Sequence, residues 1–302
     1  MNIQLFVHKR ILVATDFLES SRLALDYAVG FAHRYGARII LFHCLELSQA
    51  ALEVEMEGKA SLVRKAAAER LEALAAGVRR NGIDAAWEIC VGFPADVLPD
   101  WTQKFPVDLL VLGTHGIHRG LSHLLVGSNT EKILLAAKCP TLTVGRHVLA
   151  GVDTKLKFDE ILYVADFTQE SIAAAPYALA LGRDFHTFVD ICQITPRHTS
   201  EDPAAMAKLV EEYCEQMEQT LSEDNHRWSS SVFQLDRTHA GALILERAQA
   251  NPSALIVLGV KTKSWLDRHL NTSFAYELLS KATCPILTIH PGERTIAAPD
   301  IG

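Results

Sequence analysis

"RILVATDFLESSRLALDYAVGFAHRYG", from Arg10 to Gly36, returns 150 positions later as "EILYVADFTQESIAAAPYALALGRDFH", from Glu160 to His186. Each copy opens on a short apolar run that ends in an aspartate, Asp16 or Asp166. A helical pattern follows: in the first copy Leu23, Tyr27, Ala28 and Phe31 share a face, and Gly36 is placed to stop the helix. A buried strand leading into an amphipathic helix is the first half of a βαβ unit. Two further blocks recur in the same order. "PVDLLVLG", ending at Gly113, returns as "PSALIVLG", ending at Gly259, and "CPTLTV" from Cys139 returns as "CPILTI" from Cys284. The matched anchors Asp16 and Asp166 lie 150 apart, Gly113 and Gly259 146, and Cys139 and Cys284 145. Three ordered blocks at near-constant offset mark an internal duplication.

Between these anchors the first copy alternates strand and helix. RIILFHC reads as a second strand. The charged stretch Glu53–Asn81 reads as a long helix with Leu62, Leu71 and Leu74 facing inward and a solvated charged face. AAWEICVG is a third strand, PADVLPDWTQKF a short helix and DLLVLG a fourth strand. A helix from about Asn129 to Ala137 and the strand TLTVG close the unit. Apolar strands separated by helices predict a parallel sheet covered on both faces. Domain 1 is expected over 1–146, a linker over 147–158 (HVLAGVDTKLKF) and domain 2 over 159–302.

Composition narrows the function. Hydrophobic residues make up 49% and charged residues 22% of 302, as expected for a globular protein. The net charge of -7 and the lack of a Lys/Arg block exclude a phosphate-neutralising nucleic-acid binder. No apolar run approaches the ~20 residues that span a bilayer, and MNIQLFVHKRILVATDF lacks a signal-peptide pattern, so a cytoplasmic location without membrane association is expected. The six cysteines (Cys44, Cys90, Cys139, Cys192, Cys214 and Cys284) form no C-x-x-C pair and read as buried free thiols.

In an open α/β sheet, ligands gather at the carboxyl ends of strands where strand order reverses. Asp16 ends the first strand and Gly113 the fourth. Gly113 and Gly116 suit a tight turn and a close main-chain approach. Gly127-Ser128 precedes the next helix, whose free N–H groups and dipole suit a phosphate, with the Ser128 and Thr130 hydroxyls as further donors. Taken alone, such a loop is equally a chain reversal. Asp16 reads either as a structural cap for the following helix or as an acceptor for ribose or adenine. His115, His118 and His123 share no zinc-ligand spacing with Cys or carboxylate, so no metal site is expected; with Arg119 they read as a polar rim. The dinucleotide fingerprint, the P-loop and a nucleophile elbow are absent, and no catalytic residue is assigned.

The ordered set ILVATDF, VLGTHG, GLSHLLVGS and CPTLTV resembles the universal stress protein family in its tandem two-domain form, over nearly the whole chain. The resemblance implies two repeats of a five-stranded parallel sheet with helices on both faces, Rossmann-like and akin to the adenine nucleotide alpha hydrolases. It implies a strand order of 3-2-1-4-5 and pseudo-twofold-related halves whose last strands, around Thr143 and Thr288, pair. It also implies a motif G-x2-G-x9-G-[ST] that holds ATP, with or without Mg2+. Carried over by position, the nucleotide-binding residues are Ala14, Asp16, Cys44, Leu112, Gly113, Gly116, Gly127, Ser128, Asn129 and Thr130. One departure stands out: ten residues, not nine, separate Gly116 from Gly127, the extra one within Ile117–Arg119. In the second copy Thr262 replaces Gly116 and Thr272-Ser273 replaces Gly127-Ser128, so that motif is degenerate.

Three readings follow: an ATP-binding stress-response or regulatory protein, a structural or protein-interaction member with empty sites, and a slow ATPase. No base or arginine finger is arranged to orient water, so binding rather than catalysis is expected. The implied partner is an adenine nucleotide; homodimerisation stays open, and the sequence names no protein partner.

Overall fold

A computed structural model of the chain describes residues 5–46, 59–114, 128–148, 156–166, 169–194, 228–233, 237–260 and 274–290. It divides into two units, one built on Phe6–Arg146 and the other on Lys157–Gly302.

The first unit runs β1 (Arg10–Ala14), α1 (Glu19–Tyr35), β2 (Arg38–Leu45), α2 (Lys59–Arg80), β3 (Ala85–Val91), α3 (Pro94–Lys104), β4 (Leu109–Gly113), α4 (Ser128–Ala136) and β5 (Thr141–Val144). Its sheet has the order β3-β2-β1-β4-β5, and every pairing is parallel. The second unit runs β6 (Glu160–Ala165), α5 (Gln169–Phe185), β7 (Phe188–Ile194), β8 (Trp228–Phe233), α6 (Arg237–Ala250), β9 (Ala254–Gly259), α7 (Phe274–Lys281) and β10 (Ile286–Ile289). Its order, β8-β7-β6-β9-β10, repeats the first, again all parallel. The expected 3-2-1-4-5 order holds in both units.

Strands this apolar are enclosed from both sides. Helix α1 buries Ala24, Leu25, Ala28, Phe31 and Ala32 and packs against β1 and β4, while α2 packs on β2 and β3. Gly36, at φ 63°, ends α1 in the left-handed region, and its N–H bonds the Ala32 carbonyl. On the other face, Ala95 and Leu98 of α3, Ile133 of α4 and Ala137 just after it join a core with Leu12, Phe42, Leu110 and Leu112. At the amino ends of the strands, the Asp108 carboxylate accepts from the His8 N–H at 2.9 Å and the Arg10 N–H at 2.8 Å, tying β4 to the entry of β1.

Helix α2 corrects one expectation. Its buried stripe is Ala67, Leu71, Ala75 and Val78, whereas Leu62 is 68% exposed. Nine residues at ~100° each put Leu62 on the face opposite Leu71. Leu74, ~60° round from Leu71, is half-buried.

Candidate functional site

Strands β1 and β4 are neighbours, with Val13 in register with Val111. Strand order reverses between them, so their carboxyl ends flank one crevice. Ala14 is the last residue of β1 and sits half-buried opposite Phe42 of β2. Thr15 is buried and still tied to β2 by its N–H to the Phe42 carbonyl at 2.9 Å. Its hydroxyl lies 3.1 Å from that of Ser21 and accepts from the Phe17 N–H at 3.0 Å.

Asp16 closes a local turn, with Oδ1 accepting the Leu18 N–H at 2.9 Å. The cap position of α1 is Leu18, which makes no side-chain cap bond. Asp16 therefore acts two residues before the cap position, and it stays half-buried at the crevice.

Gly113 has a structural demand that is independent of any ligand. A Cβ there would lie 2.7 Å from the Ser20 carbonyl carbon and 2.8 Å from the Ser21 nitrogen. The end of β4 is thus pressed against the first turn of α1. The second unit repeats this: a Cβ on Gly259 would collide with the Glu170 carbonyl and lie 2.5 Å from the Ser171 nitrogen. Both copies keep the glycine because both pack the same strand end on the same helical turn.

The remaining positions separate by environment. Leu112 is 3% exposed and its side chain belongs to the core, so only its main chain can meet a ligand. Ser128, Asn129 and Thr130 form the first turn of α4, and Thr130 is buried. Cys44 is half-buried near the end of β2. Gly116, Gly127, His115, His118, Arg119 and His123 lie outside the described residues, as do Thr262, Thr272, Ser273, Cys214 and most of the linker.

The cysteines need a correction. Cys139, Cys192 and Cys284 are buried, but Cys44 and Cys90 are only half-buried. Burial pushes the Cys192 and Cys284 thiols up to about 12, so both stay protonated at neutral pH. Two groupings escaped the sequence reading. Phe17 carries φ 66°, its ring 4.5 Å from that of His43 and 4.0 Å below the Arg70 guanidinium. His43 Nδ1 donates to the Thr15 carbonyl at 2.7 Å, which makes Nδ1 the protonated nitrogen. The unusual backbone of Phe17 thus sits beside Asp16 at the mouth of the crevice, held by two other elements.

In the second unit, Arg247 of α6 pairs with the fully buried Asp190 of β7 and with Glu160 of β6 at 2.9 Å. Asn251 adds a bond to Glu160 at 3.4 Å. Burial alone would lower the pKa of Arg247; Asp190, Cys192 and Glu160 more than offset it and hold the pKa up. The only sequence signal for this network is an aspartate inside the apolar strand FVDICQI. Among the described residues no group of three or more His, Cys, Asp or Glu is arranged to hold a metal ion. Nor is any helix among them long and apolar enough to cross a membrane.

A parallel, doubly wound α/β unit written twice, with a crevice beside Asp16 and Gly113 in its first copy, defines a tandem α/β protein of the Rossmann-like class. The sequence model of the Universal stress protein family matches residues 8–145 and 157–290, and the chain belongs to that family with two of its domains. Universal stress protein MJ0531 of Methanocaldococcus jannaschii is 27% identical over 141 residues, covering 46% of this chain and 82% of that one. A universal stress protein from Archaeoglobus fulgidus shares the fold over 95% of this chain and 98% of that one, with TM-score 0.71 at 17% identity. A universal stress protein solved in complex with cAMP is 24% identical, covers 45% of this chain and 94% of that one, and has TM-score 0.31.

Proposed function

We propose that this chain is an ATP-binding stress-response or regulatory protein that holds one nucleotide in domain 1 and none in domain 2. The observation that carries this reading is the adjacency of β1 and β4, which brings the Asp16 turn and the Gly113 strand end to one crevice. In that site Asp16 accepts from the ribose or adenine. The small Ala14 and the half-buried Cys44 border the base, and Leu112 and Gly113 contribute main chain. Gly116, Gly127 and the Ser128–Thr130 turn of α4 cradle the phosphates, supported by the pattern Gly113-x2-Gly116-x10-Gly127-Ser128. Domain 1 over 1–146, the linker over 147–158 and domain 2 over 159–302 are part of the same proposal, as is a cytoplasmic location.

The competing reading is an interaction protein with both sites empty. It is favoured by the structural demand on Gly113 and Gly259, which accounts for the shared glycine without a ligand. What separates the two domains is the glycine pair Gly116 and Gly127, which the second copy replaces with Thr262 and Thr272.

Calorimetric titration of the full chain with ATP, and in parallel with cAMP, tests the proposal. One ATP per chain is expected. Gly127→Glu puts a side chain and a negative charge where a phosphate belongs and should abolish binding with the fold intact, while Thr272→Glu should change little. Two equal sites, or wild-type affinity in Gly127→Glu, would overturn the reading. Phosphate release at excess ATP distinguishes binding from turnover.

A further inference from the structure

The turn that carries Asp16 is fixed residue by residue. Asp16 Oδ1 accepts the Leu18 N–H at 2.9 Å. A carboxylate oxygen accepts, so Oδ2 is the atom left to meet a donor on a ligand. On one side of Asp16, the Phe17 N–H donates to Thr15 Oγ1 at 3.0 Å. On the other, strand β2 grips Thr15 twice: the Phe42 carbonyl takes its N–H at 2.9 Å, and His43 Nδ1 donates to its carbonyl at 2.7 Å. The first of these bonds extends the β1–β2 ladder. The second comes from a side chain, 28 positions along the chain, and holds the peptide unit that leads directly into Asp16.

That bond works against a backbone preference. Phe17 stands at φ 66°, a region that a residue with a Cβ rarely adopts. Such a conformation persists where its surroundings over-determine it. Here the Phe17 ring lies 4.5 Å from that of His43, and the Arg70 guanidinium of α2 is 4.0 Å from its centre. His43 therefore acts on both neighbours of Asp16, by a hydrogen bond to Thr15 and by ring contact with Phe17. Without it, Phe17 relaxes towards negative φ, which rotates the peptide after Asp16 and carries the carboxylate off its present position. A ligand that needs that carboxylate then binds only the fraction of molecules whose turn is still in place.

We propose that His43 is a positioning residue of the nucleotide site: through the Thr15 carbonyl and the Phe17 ring it holds the strained turn in which Asp16 Oδ2 is offered to the ligand. The inference rests on the nucleotide reading of domain 1 and adds to it a residue that makes no ligand contact of its own. His43 is half-buried on β2, next to Cys44 in sequence, and successive strand residues point to opposite faces. The two residues thus serve the crevice differently, Cys44 beside the base and His43 beneath the turn.

The test uses the full chain in two arms. In the first, calorimetry with ATP compares wild type, His43→Leu and His43→Asn. His43→Leu should weaken binding about 3–10-fold, the span set by the loss of one hydrogen bond. His43→Asn puts an amide nitrogen where Nδ1 stands and should recover most of that loss, which a merely structural role for the ring would not produce. Thermal melts check that both variants are folded. The second arm needs no nucleotide: amide hydrogen exchange at Phe17 and Leu18 should quicken in His43→Leu and slow again in His43→Asn, with Val13 of β1 unchanged. Wild-type ATP affinity in His43→Leu, unaltered exchange at Phe17 and Leu18, or no recovery in His43→Asn would overturn the assignment. A wild type that binds no ATP would instead remove the nucleotide reading and the ligand role of His43 with it, while the exchange arm still decides whether His43 holds the turn.

Discussion

The paired registers Leu12↔Ile40 and Leu162↔Asp190 mark one position of the repeat, filled by isoleucine in domain 1 and by a fully buried aspartate in domain 2. Asp190→Ile therefore transplants the apolar solution of one copy into the other. Removing one partner of a buried ion pair costs ~3–5 kcal/mol. Arg247 is 34% exposed and keeps Glu160 at 2.9 Å, so Asp190→Ile should fall at the low end, about 3 kcal/mol. Asp190 is 0% exposed, so Arg247→Met takes the guanidinium from a carboxylate that water does not reach, and about 4 kcal/mol is expected. The double variant Asp190→Ile/Arg247→Met removes both charges together. It should be up to ~3 kcal/mol less damaging than the two single costs summed. Glu160, which retains Asn251 at 3.4 Å, limits the recovery. Equilibrium urea unfolding followed by circular dichroism reads these differences, with the domains fitted as separate transitions where two appear. Additive costs, or an Arg247→Met loss no larger than the ~0.5 kcal/mol of an ordinary surface change, would refute the reasoning.

Gly113→Ala meets main-chain atoms of Ser20 and Ser21 at 2.7 and 2.8 Å, which cannot swing aside. A loss of about 1–3 kcal/mol is expected from overpacking, read by thermal melts; an unchanged melt with ATP binding lost would make Gly113 purely a ligand residue. Glu72 accepts from the Trp87 indole at 2.8 Å and from Arg79 at 2.6 Å, and these bonds hold its pKa below the usual value of 4.5. A carboxylate depressed in the folded state adds stability that is present above the unfolded pKa and lost as pH falls through the folded one. Trp87→Phe should therefore shrink the stability lost below pH ~4.5, measured by acid titration of unfolding; an unaltered acid limb would show that the bond carries no linkage.

Much of the fold was legible because its signals are local. The run ILVATD, the stripe from Ala24 to Phe31 and the stop at Gly36 each sit within one helical or strand period. The repeat at near-constant offset then multiplied each reading by two. Leu62 failed because a leucine marks a face only in phase with its neighbours, and it lies half a turn out of phase with Leu71. The candidate site was legible only in part: the sequence located Asp16 and Gly113 at strand ends, but not that Asp16 bonds Leu18 or that Gly113 must clear Ser20.

By itself, then, the chain determined its duplication, its alternation of strand and helix, its strand order through family likeness and the strand ends that flank the crevice. Those follow from periodicities of two and 3.6 residues and from glycines that punctuate them. Tertiary structure alone decided which distant residues meet. Cys44 faces Cys90 because β2 and β3 pair in one register and not the next, since a slip of one residue would send each side chain to the opposite face. Asp190 finds Arg247 because α6 packs across β7. Register and helix packing are set by the summed fit of the whole core, and no single stretch of sequence carries them.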